Sequence, residues 1–279
     1  MSSRSVNEGV RVEVHGPIAT ITLNRPASLN ALQPADYDLF ASSLREIDAR
    51  ADVLVTVWQA TGNYFCSGTN FKCERPWDAS AYADTPNSVR QNLLKGIAAT
   101  TLDCSKALYK HSKILVAAVN GPVMGIAAAM LGHFDFIYAL PNAWLSVPFT
   151  FLGIIAEAGS SITFAYRMGV AKANEVLLWG KKKGADELLA CGFYNEIFPS
   201  QSTGEFHAFV RRKLEFELNG LDRTALLGVK RLLKDAQNEK NNFDAANMRE
   251  AYAQAERFAS GTPTARFEMI ARKELRHKL

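Results

Sequence analysis

Apolar and polar positions alternate along Val10–Val14 and again along Ile18–Leu23, with His15-Gly16-Pro17 between them. A period of two interrupted by a turn signal predicts an N-terminal hairpin. Pro34 then opens a predicted helix, with Asp36 in the first turn, where a carboxylate meets free N–H groups. Tyr37, Phe40, Leu44 and Ile47 recur at spacings of three and four and give this helix one apolar face. Val53–Trp58 is rich in β-branched residues and predicts a buried strand. A loop over Thr61–Asn70 carries the small residues Ser67-Gly68-Thr69. From Cys73 to Asn87 no period is visible, and Pro76, Trp77, Tyr82 and Pro86 suggest a mobile loop with aromatic anchors.

Helical spacing returns from Ser88 to Lys110, through Val89, Leu93, Ile97 and Leu108. Ile114–Val119 reads as a buried strand, Val123–Leu131 as a buried helix, and Phe134–Leu140 and Trp144–Val147 as further strands. Helices dominate from about Ser160, with one short strand expected at Tyr194–Phe198. Beyond Ser200 the pattern is helical throughout: Gly204–Leu218, Thr224–Ala236, Phe243–Phe258 and Pro263–Arg276. Strands mixed with helices, then helices alone, predict an α/β core over residues 1–200 and a helical extension over 201–279.

Composition narrows the class. Of 279 residues 48% are hydrophobic and 22% charged, with 32 Lys and Arg against 28 Asp and Glu. That is too apolar and too balanced for a disordered chain, and four cysteines are too few for a disulfide framework. A net charge of +4 gives no argument for nucleic acid but leaves room for a small anionic ligand. Met1–Gly9 has no apolar segment of a secretory signal, and the apolar stretch Ile114–Leu131 is broken by Asn120-Gly121-Pro122, so no membrane span is expected. Cys66, Cys73, Cys104 and Cys191 show no metal-ligand spacing, so no metal site is expected and reduced thiols are.

No phosphate-binding loop, dinucleotide fingerprint, zinc-protease motif or nucleophile elbow is present, and the five histidines do not cluster. Three places stand out. Phe65–Asn70 and Asn120–Ile126 each put small residues after a buried strand, where a backbone can approach a ligand and aim N–H groups at it. A tight turn made only for packing would look the same. The third is Glu157, alone among apolar residues in Leu152–Gly159. A carboxylate there has a partner, a raised pKa, or the job of capping the helix that starts near Ser160.

Taken together these pieces resemble one family. Asn24-Arg25-Pro26 followed by Leu29-Asn30-Ala31-Leu32 is similar to the N-R-P-x-x-x-N-A-L signature of the crotonase, or enoyl-CoA hydratase/isomerase, superfamily. Phe65–Thr69, Asn120–Gly125 and Leu152–Gly159 fall in that family's order and spacing. The resemblance covers nearly the whole chain. It implies a spiral of ββα units with a C-terminal helical trimerisation region, hence a homotrimer or a hexamer. It implies an oxyanion hole formed by the backbone N–H groups of Thr69 and Ile126, which polarise an acyl-CoA thioester. Asn70 stands where many members carry Asp. Two glutamates that hydratases use to add water correspond to Ala129 and Phe149 here, so hydration should be weak. Glu157 falls where peroxisomal Δ3,Δ2-enoyl-CoA isomerases of fatty acid β-oxidation carry their catalytic carboxylate. Dienoyl-CoA isomerases also have an acid there, paired with one at the Phe149 position.

By the same resemblance Arg25 and Ala31 lie on the CoA nucleotide side, Ser67, Gly68 and Gly125 beside the thioester, and Lys273 near a CoA phosphate. Trp77, Val89, Leu93, Leu94, Ile97 and Phe149 would line an acyl pocket, with core packing as the open alternative. Lys181-Lys182-Lys183 and Arg211-Arg212-Lys213 read as solvated faces. The ending His277-Lys278-Leu279 resembles a peroxisomal address read by an import receptor. No cofactor is expected beyond the CoA of the substrate. The rival readings are a dienoyl-CoA isomerase, a weak hydratase, and a non-catalytic acyl-CoA-binding module.

Overall fold

The computed structural model describes residues 9–70 and 94–277. Among the described residues nine strands form: β1 (Val10–His15), β2 (Ile18–Leu23), β3 (Val55–Ala60), β4 (Ile114–Val119), β5 (Val123–Met124), β6 (Phe136–Ala139), β7 (Trp144–Ser146), β8 (Lys183–Gly184) and β9 (Glu196–Ile197). Six of them make one sheet in the order β1-β2-β3-β4-β6-β9, antiparallel only between β1 and β2. The other three make a small sheet, β5-β7-β8.

Period two sorts the large sheet's side chains. Ala19, Ile21, Trp58, Ala60, Leu115, Ala117 and Ile137 enter one core, and Ile18, Val55, Val57, Ile114, Val116 and Tyr138 enter the other. The first core is closed by α1 (Pro34–Asp48) through Tyr37, Phe40, Leu44 and Ile47. Trp58 sits at its centre, with ring centroids 4.9, 4.8 and 5.5 Å from Phe40, Phe65 and Phe134. The remaining helices are α2 (Asp103–Lys110), α3 (Gly125–Met130), α4 (Phe149–Leu152), α5 (Ser160–Leu177, broken at Gly169), α6 (Ala185–Ala190), α7 (Thr203–Leu218), α8 (Arg223–Lys240), α9 (Phe243–Ala259) and α10 (Thr262–Ala271). The second core is closed by Phe206, Val210 and Leu214 of α7.

The differences from the sequence reading have local causes. Val123 and Met124, expected in a helix, are strand because they pair in parallel with Leu145 and Ser146 of β7, and an isolated bridge to Cys66 adds the Met124 N–H to Cys66 O bond at 2.9 Å. The buried strand runs Val55–Ala60 rather than Val53–Trp58, in register with β2 and β4. The helix expected to run to Arg276 stops at Ala271, and Lys273 has φ +63°. Its predecessor over Ser88–Lys110 is seen from residue 94, with a π turn at Ala98–Leu102 before α2. The aromatic loop at 73–87 lies outside the described residues.

Among the described residues no helix is long and apolar enough to cross a membrane, and no group of three His, Cys, Asp or Glu side chains could hold a metal ion. Cys66, Cys104 and Cys191 are free thiols.

Candidate active site

Asn30 ties the early motif to the first special loop. It takes a left-handed φ of +54°, accepts the Arg25 N–H at 2.8 Å and donates to the Thr61 and Tyr64 carbonyls, each at 2.8 Å. Beside it Leu32 N–H donates to Gly68 O and Asn70 N–H to Leu32 O, both at 2.8 Å. That parallel pairing uses the peptide groups on either side of Thr69 and turns the Thr69 N–H outward. The Cys66–Val123 pairing then lays the second loop alongside. A Cβ built on Gly68, whose φ is +91°, would lie 3.2 Å from Met124 O. Only glycine allows this approach.

Ile126 is the second residue of α3, and a helix's first N–H groups have no partner inside it. Among the described residues neither the Thr69 N–H nor the Ile126 N–H meets an acceptor. Two free donors therefore stand on touching segments. The Tyr37 hydroxyl, buried under α1, lies 2.7 Å from Thr69 Oγ1 and close enough to Glu157 to feel its charge. Thr69 and Glu157 thus flank the same space.

Glu157 sits on a contorted segment: Gly153, Ala158 and Gly159 have φ of +77°, +58° and +72°. The conformation is held from outside. Arg257 Nε donates to Gly153 O at 2.9 Å, and His133 Nε2 donates to Ala158 O at 2.7 Å. Glu250 accepts the Gly159 N–H at 2.6 Å, the Ser161 N–H at 3.1 Å and the Ser161 hydroxyl. The cap of α5 is therefore Glu250, which settles the alternative left open for Glu157.

Among the described residues the Glu157 carboxylate receives one bond, from Gln254 Nε2 to Oε2 at 3.2 Å. Burial pushes its pKa up to about 7, the Gln254 bond opposes the rise, and the charge of Glu250 adds to it. Part of its surface stays open, as a proton-transfer group requires. Burial lowers His133 to about 4, so at neutral pH its imidazole is neutral, with the proton on Nε2 facing Ala158 O.

These features match a known pattern along nearly the whole chain: residues 13–262 fit the enoyl-CoA hydratase/isomerase family. The chain belongs to that family. A Delta(3,5)-Delta(2,4)-dienoyl-CoA isomerase of Pyricularia oryzae is 36% identical over 276 residues, 96% of this chain and 98% of that protein. A 3,2-trans-enoyl-CoA isomerase of Saccharomyces cerevisiae is 31% identical over 279 residues, 98% of each. An enoyl-CoA hydratase/isomerase of Pseudoalteromonas atlantica T6c superposes with a TM-score of 0.78 at 26% identity, covering 95% of this chain and 97% of that one. The architecture is accordingly the crotonase-like α/β fold with C-terminal helices.

For this family member the structure distributes the expected site residues unevenly. Thr69, Ile126, Ser67, Gly68 and Gly125 converge on the paired loops, with Ser67 N–H donating to Leu29 O at 3.0 Å. Arg25 is ion-paired with buried Asp36, which fixes the turn before Ala31. Ala129 and Phe149 are both buried in the main core, so no carboxylate stands at either position. Leu94 and Ile97 pack against Ala251 and Ala255 of α9, while Trp77, Val89 and Leu93 lie outside the described residues.

Lys273 lines a surface recess with Phe151, Ile270 and Arg276. The His277 ring packs edge-on against Phe151 at 4.6 Å, and Lys278 and Leu279 lie outside the described residues. In the run expected to be a solvated face, Lys181 and Lys182 are exposed, but Lys183 is buried, with its ammonium 2.5 Å from Glu175 and 3.1 Å from Glu187, because β8 draws it inward. Sequence reasoning also missed Tyr37 as more than a core residue, and it missed His133, Glu250, Gln254 and Arg257. The last three recur at helical spacing in Phe243–Ala259, which resembles an ordinary solvated face.

Proposed function

We propose that the protein is a Δ3,Δ2-enoyl-CoA isomerase, with Glu157 as the single acid–base group. The observation that carries this reading is the isolation of Glu157. Its charge reaches Tyr37, whose hydroxyl pairs with that of Thr69, burial pushes its pKa up to about 7, and the neighbouring carboxylate Glu250 is occupied by three donors. A base poised near the working pH is what proton transfer needs.

In the reaction Glu157 takes a proton from C2 of a 3-enoyl-CoA. The electron pair of that C–H bond forms the C1–C2 double bond, and the thioester π pair moves to oxygen, giving a dienolate. The Thr69 and Ile126 N–H groups hold that oxyanion; one such donor is typically worth roughly 3 kcal/mol in the transition state. The protonated Glu157 then gives its proton to C4. The C3–C4 π pair forms the new C4–H bond, the C1–C2 pair becomes the C2–C3 double bond, the oxyanion pair returns to the carbonyl, and 2-enoyl-CoA leaves. Apolar Ile154, Ile155 and Ala156 beside the carboxylate favour a dry site. Ser67, Gly68, Gly125 and Phe149 would border the acyl thioester, with Arg25, Ala31 and Lys273 on the CoA side.

The name of the Pyricularia relative favours a second reading, a dienoyl-CoA isomerase. Phe149 argues against it, since a second acid is expected at that position. The test is turnover of 3-hexenoyl-CoA, a 3,5-dienoyl-CoA and crotonyl-CoA by wild type and Glu157→Gln. Fastest isomerisation of 3-hexenoyl-CoA, lost in Glu157→Gln, supports the proposal. Faster conversion of the dienoyl-CoA transfers the assignment to the second reading. Dominant hydration of crotonyl-CoA, or binding without turnover of any of the three, overturns both.

A further inference from the structure

Three side chains of α9 reach the 153–161 segment from one helical face: Glu250, Gln254 and Arg257, four and three residues apart. Two of them hold only the framework around Glu157. Arg257 binds the Gly153 carbonyl, and both oxygens of Glu250 are taken by Gly159 and Ser161. Gln254 differs, because it meets the Glu157 carboxylate itself.

Its orientation follows from chemistry. The Ile155 N–H can only donate, so the side-chain oxygen of Gln254 must face it, at 3.1 Å. The amide nitrogen is then left to point at Glu157 Oε2, at 3.2 Å. Gln254 is 2% exposed, so water does not compete for either bond.

We propose that Gln254 is a positioning residue that ties down Oε2 of Glu157 and thereby makes Oε1 the oxygen that carries the proton from C2 to C4. The inference rests on the isomerase reading of Glu157. An amide N–H can serve Oε2 in both protonation states of the carboxyl, provided the proton sits on Oε1. A proton on Oε2 would turn that oxygen into the poorer acceptor of the two and weaken the bond. The same oxygen therefore accepts in the first half of the reaction and donates in the second, and the carboxyl need not turn over between them.

The surroundings leave this task to Gln254. Among the described residues the titratable and charged groups facing the segment are Tyr37 of α1, His133 after α3, Glu250 and Arg257 of α9, and Arg266 of α10, whose stem lies against Gly153. The Tyr37 hydroxyl is paired with that of Thr69, His133 donates to the Ala158 carbonyl, Arg257 to the Gly153 carbonyl and Arg266 to the Phe151 carbonyl, and both Glu250 oxygens are occupied by the donors of Gly159 and Ser161. Among the described residues Gln254 alone bonds to the Glu157 side chain. It also favours the charged form of Glu157, against both burial and the charge of Glu250.

The test is the kcat–pH profile of wild type, Gln254→Met and Arg257→Met with 3-hexenoyl-CoA. Losing the donor disfavours ionised Glu157, so the acid limb of Gln254→Met should move up by about one pH unit. Activity should then fall roughly tenfold relative to wild type at pH 6 and stay within about threefold at pH 9. Arg257→Met removes a loop anchor without touching the carboxylate, and its limb should stay at the wild-type position. An unmoved limb in Gln254→Met, or the same pH-independent loss in both variants, overturns the proposal.

A second measurement stands if Gln254→Met fails to fold. With glutamine side chains labelled by 15N, one amide of the wild type should titrate with a midpoint near 7, and that titration should vanish in Glu157→Gln. A wild type with no such amide overturns the proposal. If the wild type does not isomerise 3-hexenoyl-CoA, the functional reading fails, while the amide titration still decides the Gln254–Glu157 contact.

Discussion

The Tyr37 hydroxyl lies 2.7 Å from the Thr69 hydroxyl, so a buried tyrosine of the first long helix braces the residue whose N–H is the proposed first arm of the oxyanion hole. Tyr37→Phe keeps the ring in the core and removes only the bond. One such bond contributes about 1 kcal/mol. If it is felt mainly in the transition state, kcat should fall by about fivefold with KM within about twofold of wild type. Steady-state kinetics on 3-hexenoyl-CoA checks this. An unchanged kcat would mean that Thr69 is placed by its backbone pairing with Leu32 alone.

Glu157→Gln should be catalytically poor and yet more stable at alkaline pH. Loss of the base should lower kcat by roughly a thousandfold. The sign of the stability change follows from proton counts. Burial raises the folded-state pKa of Glu157 from 4.5 to about 7, so between those values the folded chain holds a proton that the unfolded chain has released. Its contribution to stability therefore declines as pH rises through that window and stays low above it. The amide is uncharged and still offers Gln254 an accepting oxygen. At pH 8 the variant should gain about 1 kcal/mol, a figure reduced because part of Glu157 is open to solvent. At pH 4 the two proteins should melt alike. Calorimetry at both pH values decides, and a lower Tm for the variant at pH 8 would refute the burial argument.

The sheet was largely legible in the sequence because buried parallel strands are short runs of β-branched and small residues, as Ile114–Val119 is. The paired loops were legible as a resemblance, and their small residues have a physical basis in the close approach of Gly68 to Met124 O. Glu157 was legible because a lone carboxylate in an apolar segment is costly. Its supports were not. Glu250, Gln254 and Arg257 lie about a hundred residues downstream, and nothing in their spacing distinguishes a face turned to a loop from one turned to water. Nor could periodicity find β8, which is two residues long and exists because Lys183 and Gly184 pair with Leu145 and Trp144.

Glu250→Gln should separate the two effects of that side chain. Its carboxylate caps α5 by accepting three bonds, and the amide retains only one accepting oxygen. Stability should fall by about 1–2 kcal/mol, read as a lower Tm. The same change removes a negative charge that pushes Glu157 upward, so the acid limb of the kcat–pH profile should move to lower pH. A limb that stays in place would show that the charge of Glu250 does not reach Glu157.

Gly68→Ala tests the close approach of the two loops. The residue has φ +91° and its Cβ would lie 3.2 Å from the Met124 carbonyl oxygen, so backbone strain and contact act together. Moving the loops apart misplaces both proposed donors, and kcat should fall at least roughly tenfold. Gly16→Ala is the control. It has φ +56° and open space around its Cβ, so it should cost about 1 kcal/mol of stability and no activity. Equal activity losses in the two variants would trace the effect to strain alone.

Val229, Leu232 and Leu233 are 56%, 65% and 62% exposed, and their spacing of three and one puts them on one face of α8. Three large apolar side chains together on one helical face are what a subunit interface covers. The occupant proposed is a second copy of this chain, within the trimer or hexamer implied by the family's C-terminal helices. Leu232→Glu combined with Leu233→Glu would place two carboxylates in that contact, where burying an unpaired charge costs several kcal/mol. Light scattering should then report one chain per particle for the double variant and three or six for the wild type, with unchanged far-ultraviolet circular dichroism. A double variant that keeps the wild-type mass would move the interface to another face of the protein.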